Sequence, residues 1–286
     1  MPTESKPALP GFEERRLGPT RYFVAGSGEP VVLVHGLGGF SANWRLIAPP
    51  LAAGRRVIVP DLPGHGGSAA LPEAPSTLDP FAEAVLGVLE HEGALPAPWI
   101  GHSFGGTVGL RAAVRRPEAV QGLLLAAAAG ISSASRAAEA LLSVIGFVEP
   151  GRRIAPYRRR IARSRLGRTF AFGWWGVADP AGFPPAMAEA FLAGPGEHEN
   201  TLQAGKALVQ SDPRRDLDRV ACPCVCVWGA SDNWVPLRDG MEYARRLRAP
   251  LRVIADCGHL LIGERPEAVL DAVWDLLERV SPGATG

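Results

Sequence analysis

The sequence predicts an α/β fold: a mostly parallel, twisted sheet flanked by helices, with one inserted helical segment. Three observations carry this prediction. Short continuous apolar runs alternate with stretches of helical spacing over the first 130 residues, as strands buried on both faces and joined by crossover helices do. The alternation stops at about Gly130 and resumes after about Pro213. Several runs end in Gly-, Pro- or His-rich turns rather than in further apolar sequence.

Residues 1 to 17, rich in Pro, Glu and Arg without periodicity, are expected to be a loose tail. Val31-Val32-Leu33-Val34 is the first buried strand, and residues 42–53 follow with helical spacing. Val57-Ile58-Val59 is the next strand; it ends at Pro60-Asp61 and the turn Leu62-Pro63-Gly64-His65-Gly66-Gly67. Residues 78–92 place Phe81, Val85, Leu86 and Leu89 on one helical face. Trp99-Ile100 leads into Gly101-His102-Ser103-Phe104-Gly105-Gly106, then a helix over 107–116 and an apolar run over 120–128. Residues 131–213 are helical, Arg-rich and then aromatic. Val225-Cys226-Val227-Trp228 resumes the sheet, residues 251–255 add a last strand, and residues 266–279 a last helix. The expected organisation is therefore a core of residues 18–130 and 214–286 with 131–213 inserted.

Composition narrows the function classes. Thirty basic and 29 acidic residues give a net charge of +1, so no global field favours a polyanion. Nucleic acid is not an expected partner. The N-terminal stretch lacks the apolar core of about 7–15 residues that a signal peptide needs, and no segment reaches the ~18 apolar residues of a membrane span. A soluble cytoplasmic protein, monomer or homodimer, is the expectation. Cys222, Cys224 and Cys226 alternate along one face of a strand, and with Cys257 match neither a zinc-site spacing nor a disulfide framework. They read as small buried thiols.

The chemistry centres on Gly101-x-Ser103-x-Gly105. A strand, sharp turn and small-residue helix would hold Ser103 in a strained backbone and project its hydroxyl above the sheet, with glycines where the two arms crowd. A serine hydroxyl needs an adjacent base. In an open parallel sheet reacting groups gather beyond the carboxyl ends of strands; among six histidines, His259 meets this condition. His91 and His198 (in Glu197-His198-Glu199) read as solvated, and His35 and His65 as fixing their loops by hydrogen bonds. The imidazole needs a carboxylate to hold its tautomer. Asp232, at the carboxyl end of its strand, is favoured; Asp256 lies too close in sequence to His259, and Asp212, Asp216 and Asp218 precede the strand. The start of the helix after Ser103 places the Phe104 N–H where unpaired donors face the site.

The order Ser103, Asp232, His259, with His35-Gly36-Leu37-Gly38-Gly39, Asp61-Leu62-Pro63-Gly64-His65-Gly66 and the insertion after Ala128, resembles the α/β-hydrolase superfamily from about Tyr22 to Val280. The resemblance implies the α/β-hydrolase fold, a helical cap formed by the insertion, and an oxyanion hole from the N–H groups of Leu37 and Phe104. It implies acyl transfer through a covalent acyl-enzyme without a metal or other cofactor. Gly36, Phe40, His102, Trp174 and Trp175 are the expected substrate-contacting residues. Phe170, Phe172, Trp174, Trp175, Phe183 and Phe191 read equally as a pocket lining or as a small core, and Trp44 and Phe40 share that ambiguity. Eight arginines between Arg152 and Arg168 could attract an anionic substrate or a membrane surface; a solvated cap face is preferred.

The expected function is hydrolysis of small to medium hydrophobic carboxylic esters. The first alternative is C–C bond hydrolysis of ring-cleavage products with the same triad. Relatives of that type usually carry Gly-Pro-Gly after His-Gly and a Trp after the catalytic His; here Leu37-Gly38-Gly39 and Leu260 stand there. The second alternative is a non-catalytic ligand receptor on the same fold.

Overall fold

The computed structural model describes residues 9–132, 153–173 and 176–281. Its sheet has eight strands in the order β1-β2-β4-β3-β5-β6-β7-β8. These are β1 (Glu13–Leu17), β2 (Thr20–Ala25), β3 (Pro30–Val34), β4 (Arg56–Pro60), β5 (Ala97–His102), β6 (Val120–Ala126), β7 (Cys224–Gly229) and β8 (Leu251–Ile254). β3 through β8 run parallel, whereas β1 and β2 join as an antiparallel pair at one edge. Every residue of β5 and β7 is buried, which explains their unbroken apolar character.

Glu13–Leu17 is thus a strand and not part of a loose tail. Its charged sequence, EERRL, suits an edge exposed to water, where charges also discourage pairing with another chain. Arg15 reaches across to Glu92 at 2.9 Å, a tertiary contact that local periodicity does not reveal. The helix expected over 42–53 divides into a 3-10 turn (Ser41–Trp44) and the short α1 (Ala48–Ala52), whose first turn carries Pro49 and Pro50. α2 (Asp79–His91), α3 (Phe104–Arg115) and the last helix (Pro266–Val280) lie close to their expected places, whereas the helix over Leu237–Leu247 was not expected.

Between β6 and β7 the described helices are α4 (Arg158–Arg163), α5 (Arg165–Phe172), α6 (Pro185–Glu197) and α7 (Thr201–Gln210). After β7 come α8 (Leu237–Leu247), α9 (Leu261–Glu264) and α10 (Pro266–Val280). The main core fills both faces of the sheet. A second cluster within the insertion unites Ala162, Phe172, Phe183, Met187 and Leu192 with Leu260, the residue after His259. The insertion therefore packs directly on the loop that carries the candidate base.

The aromatic run divides accordingly. Phe172 and Phe183 form an edge-to-face pair with centroids 5.4 Å apart inside that cluster. Phe191 packs on Phe183, while Phe170 projects into solvent. Trp174 and Trp175 lie outside the described residues.

Cys224, Cys226 and Cys257 are buried free thiols and Cys222 is half-buried; burial pushes the Cys226 thiol up to about 12. No helix among the described residues is long and apolar enough to cross a membrane.

Candidate active site

Ser103 occupies the turn from β5 to α3 with φ +51° and ψ −117°, a conformation that ordinary side chains avoid. The flanking glycines explain how the turn closes. A Cβ on Gly101 would stand 2.5 Å from the Gly105 carbonyl oxygen. At Gly105 it would meet the Val34 and His35 backbone, so any side chain would force β3 and α3 apart.

His259 follows β8 in a loop held by Glu264. The Glu264 carboxylate accepts the Gly258 N–H at 2.7 Å and the N–H groups of Ala178 and Asp179 at 2.8 and 3.0 Å. That one side chain joins the base loop to the insertion. The Ser103 hydroxyl lies 3.1 Å from His259 Nε2, and His259 Nδ1 lies 2.9 Å from Asp232 Oδ2. With Nδ1–H donating to the carboxylate, Nε2 is left to accept the serine proton. Asp232 Oδ1 accepts the N–H groups of Trp234 and Val235, which fixes the carboxylate plane. All three side chains are buried. Asp256 is exposed and stands apart from this chain of hydrogen bonds.

The loop after β3 lies directly against the nucleophile. A Cβ on Gly36 would stand 3.0 Å from the Ser103 Cβ, so the backbone leading to Leu37 passes close enough that a side chain there would crowd the nucleophile. Phe104 begins α3, where the first amides have no partner within the helix. The Leu37 and Phe104 backbones thus flank Ser103.

Two of the expected substrate-contacting residues make structural contacts of their own. His102 donates Nε2–H to the His259 carbonyl at 2.9 Å, so it braces the base loop rather than offering a donor to a substrate. Burial, and secondarily the neighbouring His259, lowers its pKa to about 3 and keeps it neutral. Phe40 is fully buried against Ala42 and Ala193, serving as packing between the loop and α6. Trp44 likewise belongs to the main core.

His198 is the largest departure from the sequence expectation. It is buried, not solvated: its Nε2–H donates to the Gly38 carbonyl at 2.8 Å while Nδ1 accepts the Gly66 N–H at 3.2 Å. A single ring from the insertion therefore bridges the loops after β3 and β4. Nothing in Glu197-His198-Glu199 signals this, because both partners are backbone groups distant in sequence. His35 and His65 do fix their loops. His35 donates Nδ1–H to the Gly36 carbonyl and accepts the Leu62 N–H, and His65 donates to the Pro63 carbonyl. Burial lowers their pKa values to about 4 and about 3.

Beneath these loops lies an ion pair that sequence reasoning missed. Arg21 Nε donates to Asp61 Oδ2 at 2.7 Å, with both residues almost fully buried. Asp61 also accepts the N–H groups of Ser41 and Gly67. Burial alone would raise the carboxyl's pKa, but the Arg21 guanidinium and these amides bring it below the ordinary range. The pair ties β2 to both loops that rim the site. Among the described residues no cluster of three or more His, Cys, Asp or Glu is arranged to hold a metal.

Comparison with known proteins agrees with this fold. Residues 31–272 match the model of the Alpha/beta hydrolase family. The chain belongs to that family. It is 30% identical over 274 residues to 2-hydroxymuconate semialdehyde hydrolase of Pseudomonas sp. (strain CF600), covering 93% of this chain and 92% of that protein. It is 35% identical over 258 residues to the dihydrolipoyllysine-residue acetyltransferase component of the acetoin cleaving system of Pseudomonas putida, of whose length it spans 64%. Among solved structures, an esterase from Thermogutta terrifontis superposes with a TM-score of 0.70 at 25% identity, over 92% of this chain and 94% of that one. This α/β-hydrolase is thus similar both to an esterase and to a 2-hydroxymuconate semialdehyde hydrolase.

Proposed function

We propose that this chain hydrolyses carboxylic esters of small to medium hydrophobic acids or alcohols through Ser103, His259 and Asp232. The observation that carries the proposal is the aligned chain from Ser103 Oγ to His259 Nε2 (3.1 Å) and from Nδ1 to Asp232 (2.9 Å), on a serine held at φ +51°. Ser103 Oγ attacks the acyl carbon while His259 Nε2 takes its proton. The Leu37 and Phe104 N–H groups receive the developing oxyanion, each worth about 2.7–4 kcal/mol by analogy with measured donor deletions. Collapse expels the alcohol, which leaves with the proton from His259. A water then attacks the acyl-enzyme, gives its proton to His259, and the acid departs as Ser103 recovers its own. The insertion acts as a cap over the acyl site, and its small core against Leu260 holds the base loop in place.

A second reading, C–C bond hydrolysis, is favoured by the likeness to 2-hydroxymuconate semialdehyde hydrolase over almost its whole length. Leu260 and Leu37-Gly38-Gly39 in place of that group's usual residues favour the ester. Turnover of a chromogenic short-chain ester against turnover of a vinylogous diketone acid separates the two, and loss of both in Ser103→Ala establishes the shared nucleophile. A chain that binds either compound and turns over neither is a receptor.

A further inference from the structure

We infer that the face formed by α4 and α5 in the insertion docks on an anionic lipid surface. Residues 153–173 carry seven arginines and no Asp or Glu, in a chain whose net charge is only +1. Arg168 is internal, donating to the carbonyls of Ala162, Pro180 and Ala181. Arg153, Arg159, Arg160, Arg163 and Arg165 are exposed. Arg159 pairs with Glu189, but Arg160, Arg163 and Arg165 have no carboxylate within ion-pair reach among the described residues.

Hydrophobic side chains interrupt this basic face. At 3.6 residues per turn, Leu166, Thr169 and Phe170 share an arc of about 100°, and the buried Arg168 and Phe172 of α5 lie outside it. Leu166 is 83% exposed and Phe170 89%, with Tyr157 at 63% just before α4. Leu166 and Phe170 line a shallow depression with Thr169, Gly173 and Pro180. The water-facing arc of a surface helix is normally polar. Two large apolar side chains one turn apart, in a segment whose exposed charges are all arginines, have the composition of a helix lying in a membrane interface. There the apolar groups enter the acyl boundary and the guanidiniums bind phosphates.

The charge selects this occupant. A two-fold contact with a second copy would set the same patch against itself, arginine against arginine. A nucleic-acid backbone would meet the arginines but give Leu166 and Phe170 no apolar partner. Docking is independent of the hydrolytic reading, so Ser103→Ala is expected to bind vesicles as the wild type does.

The test is co-sedimentation with vesicles of phosphatidylcholine alone and of phosphatidylcholine mixed with phosphatidylglycerol, at low and high salt. Binding is expected to the mixed vesicles at low salt and to weaken as salt rises. Arg160→Gln with Arg163→Gln should lower partitioning by about fivefold per arginine, and Leu166→Ser with Phe170→Ser by tenfold or more, all with unchanged melting temperatures. Equal binding to both vesicle types, or variants that bind as the wild type, would overturn the inference. So would a wild-type dimer that Leu166→Ser with Phe170→Ser converts to monomers, because a second copy would then own the face.

Discussion

Acidification from pH 7.5 to 5.5 is expected to cost the fold about 4 kcal/mol, through three histidines that brace the site. His35, His65 and His102 are fully buried and held neutral by desolvation, with pKa values lowered to about 4, 3 and 3. In the unfolded chain an imidazole titrates near 6.5. The folded value is the lower one, so the unfolded state takes up protons first as the pH falls. Stability is therefore full above about 6.5 and is lost between about 6.5 and 4. At pH 5.5 an unfolded imidazole is about ten parts protonated to one, which favours unfolding by roughly 1.4 kcal/mol per histidine and about 4 for three. Against a typical total of about 5–15 kcal/mol, that is a large fraction. Urea unfolding followed by tryptophan fluorescence at a series of pH values measures it directly. His65→Leu should remove about a third of the slope whatever it does to the overall stability. An unfolding free energy constant within about 1 kcal/mol between pH 7.5 and 5.5 would refute the reasoning.

Other expected outcomes follow from single contacts. Asp232→Asn should lower kcat by about 10⁴, by analogy with other triads, with little change in melting temperature, while Asp256→Asn changes neither; the reverse pattern in ester kinetics would reassign the carboxylate. Arg21→Met strands a buried Asp61 charge and should cost about 3–5 kcal/mol. Part of that should return in Arg21→Met with Asp61→Asn, which removes the stranded charge and keeps an acceptor for the loop amides, measured by urea unfolding. His198→Ala removes the bridge between Gly38 and Gly66 and should reduce kcat by about tenfold or more, with KM within a few fold, because a displaced Leu37 N–H loses part of a donor's worth. A change confined to KM would place His198 in substrate binding instead.

The parallel strands were legible because each is buried on both faces and its sequence is correspondingly continuous: Val31–Val34 and Val225–Trp228 could be little else. Ser103, Asp232 and His259 were legible for a related reason, since each sits at the carboxyl end of such a strand, where the topology converges. β1 was not legible, because an edge strand needs no apolar face and EERRL has the composition of a tail. His198, Glu264 and the Arg21–Asp61 pair were hidden by their partners. Each binds backbone groups or side chains far away in sequence, and flanking residues carry no record of such contacts. The partner of His102 was hidden in the same way, since its ring turns to the His259 carbonyl far along the chain. Phe170 was grouped with neighbouring aromatics by composition, yet the helix places it on the opposite side from Phe172.

Nucleophilic activation of one hydroxyl is the central point, and covalent trapping tests it most directly. Incubation with a fluorophosphonate, followed by peptide mass spectrometry, should give one adduct per chain, on Ser103, and His259→Ala should slow its formation by orders of magnitude. An unmodified Ser103, or an adduct on a different residue, would contradict the mechanism.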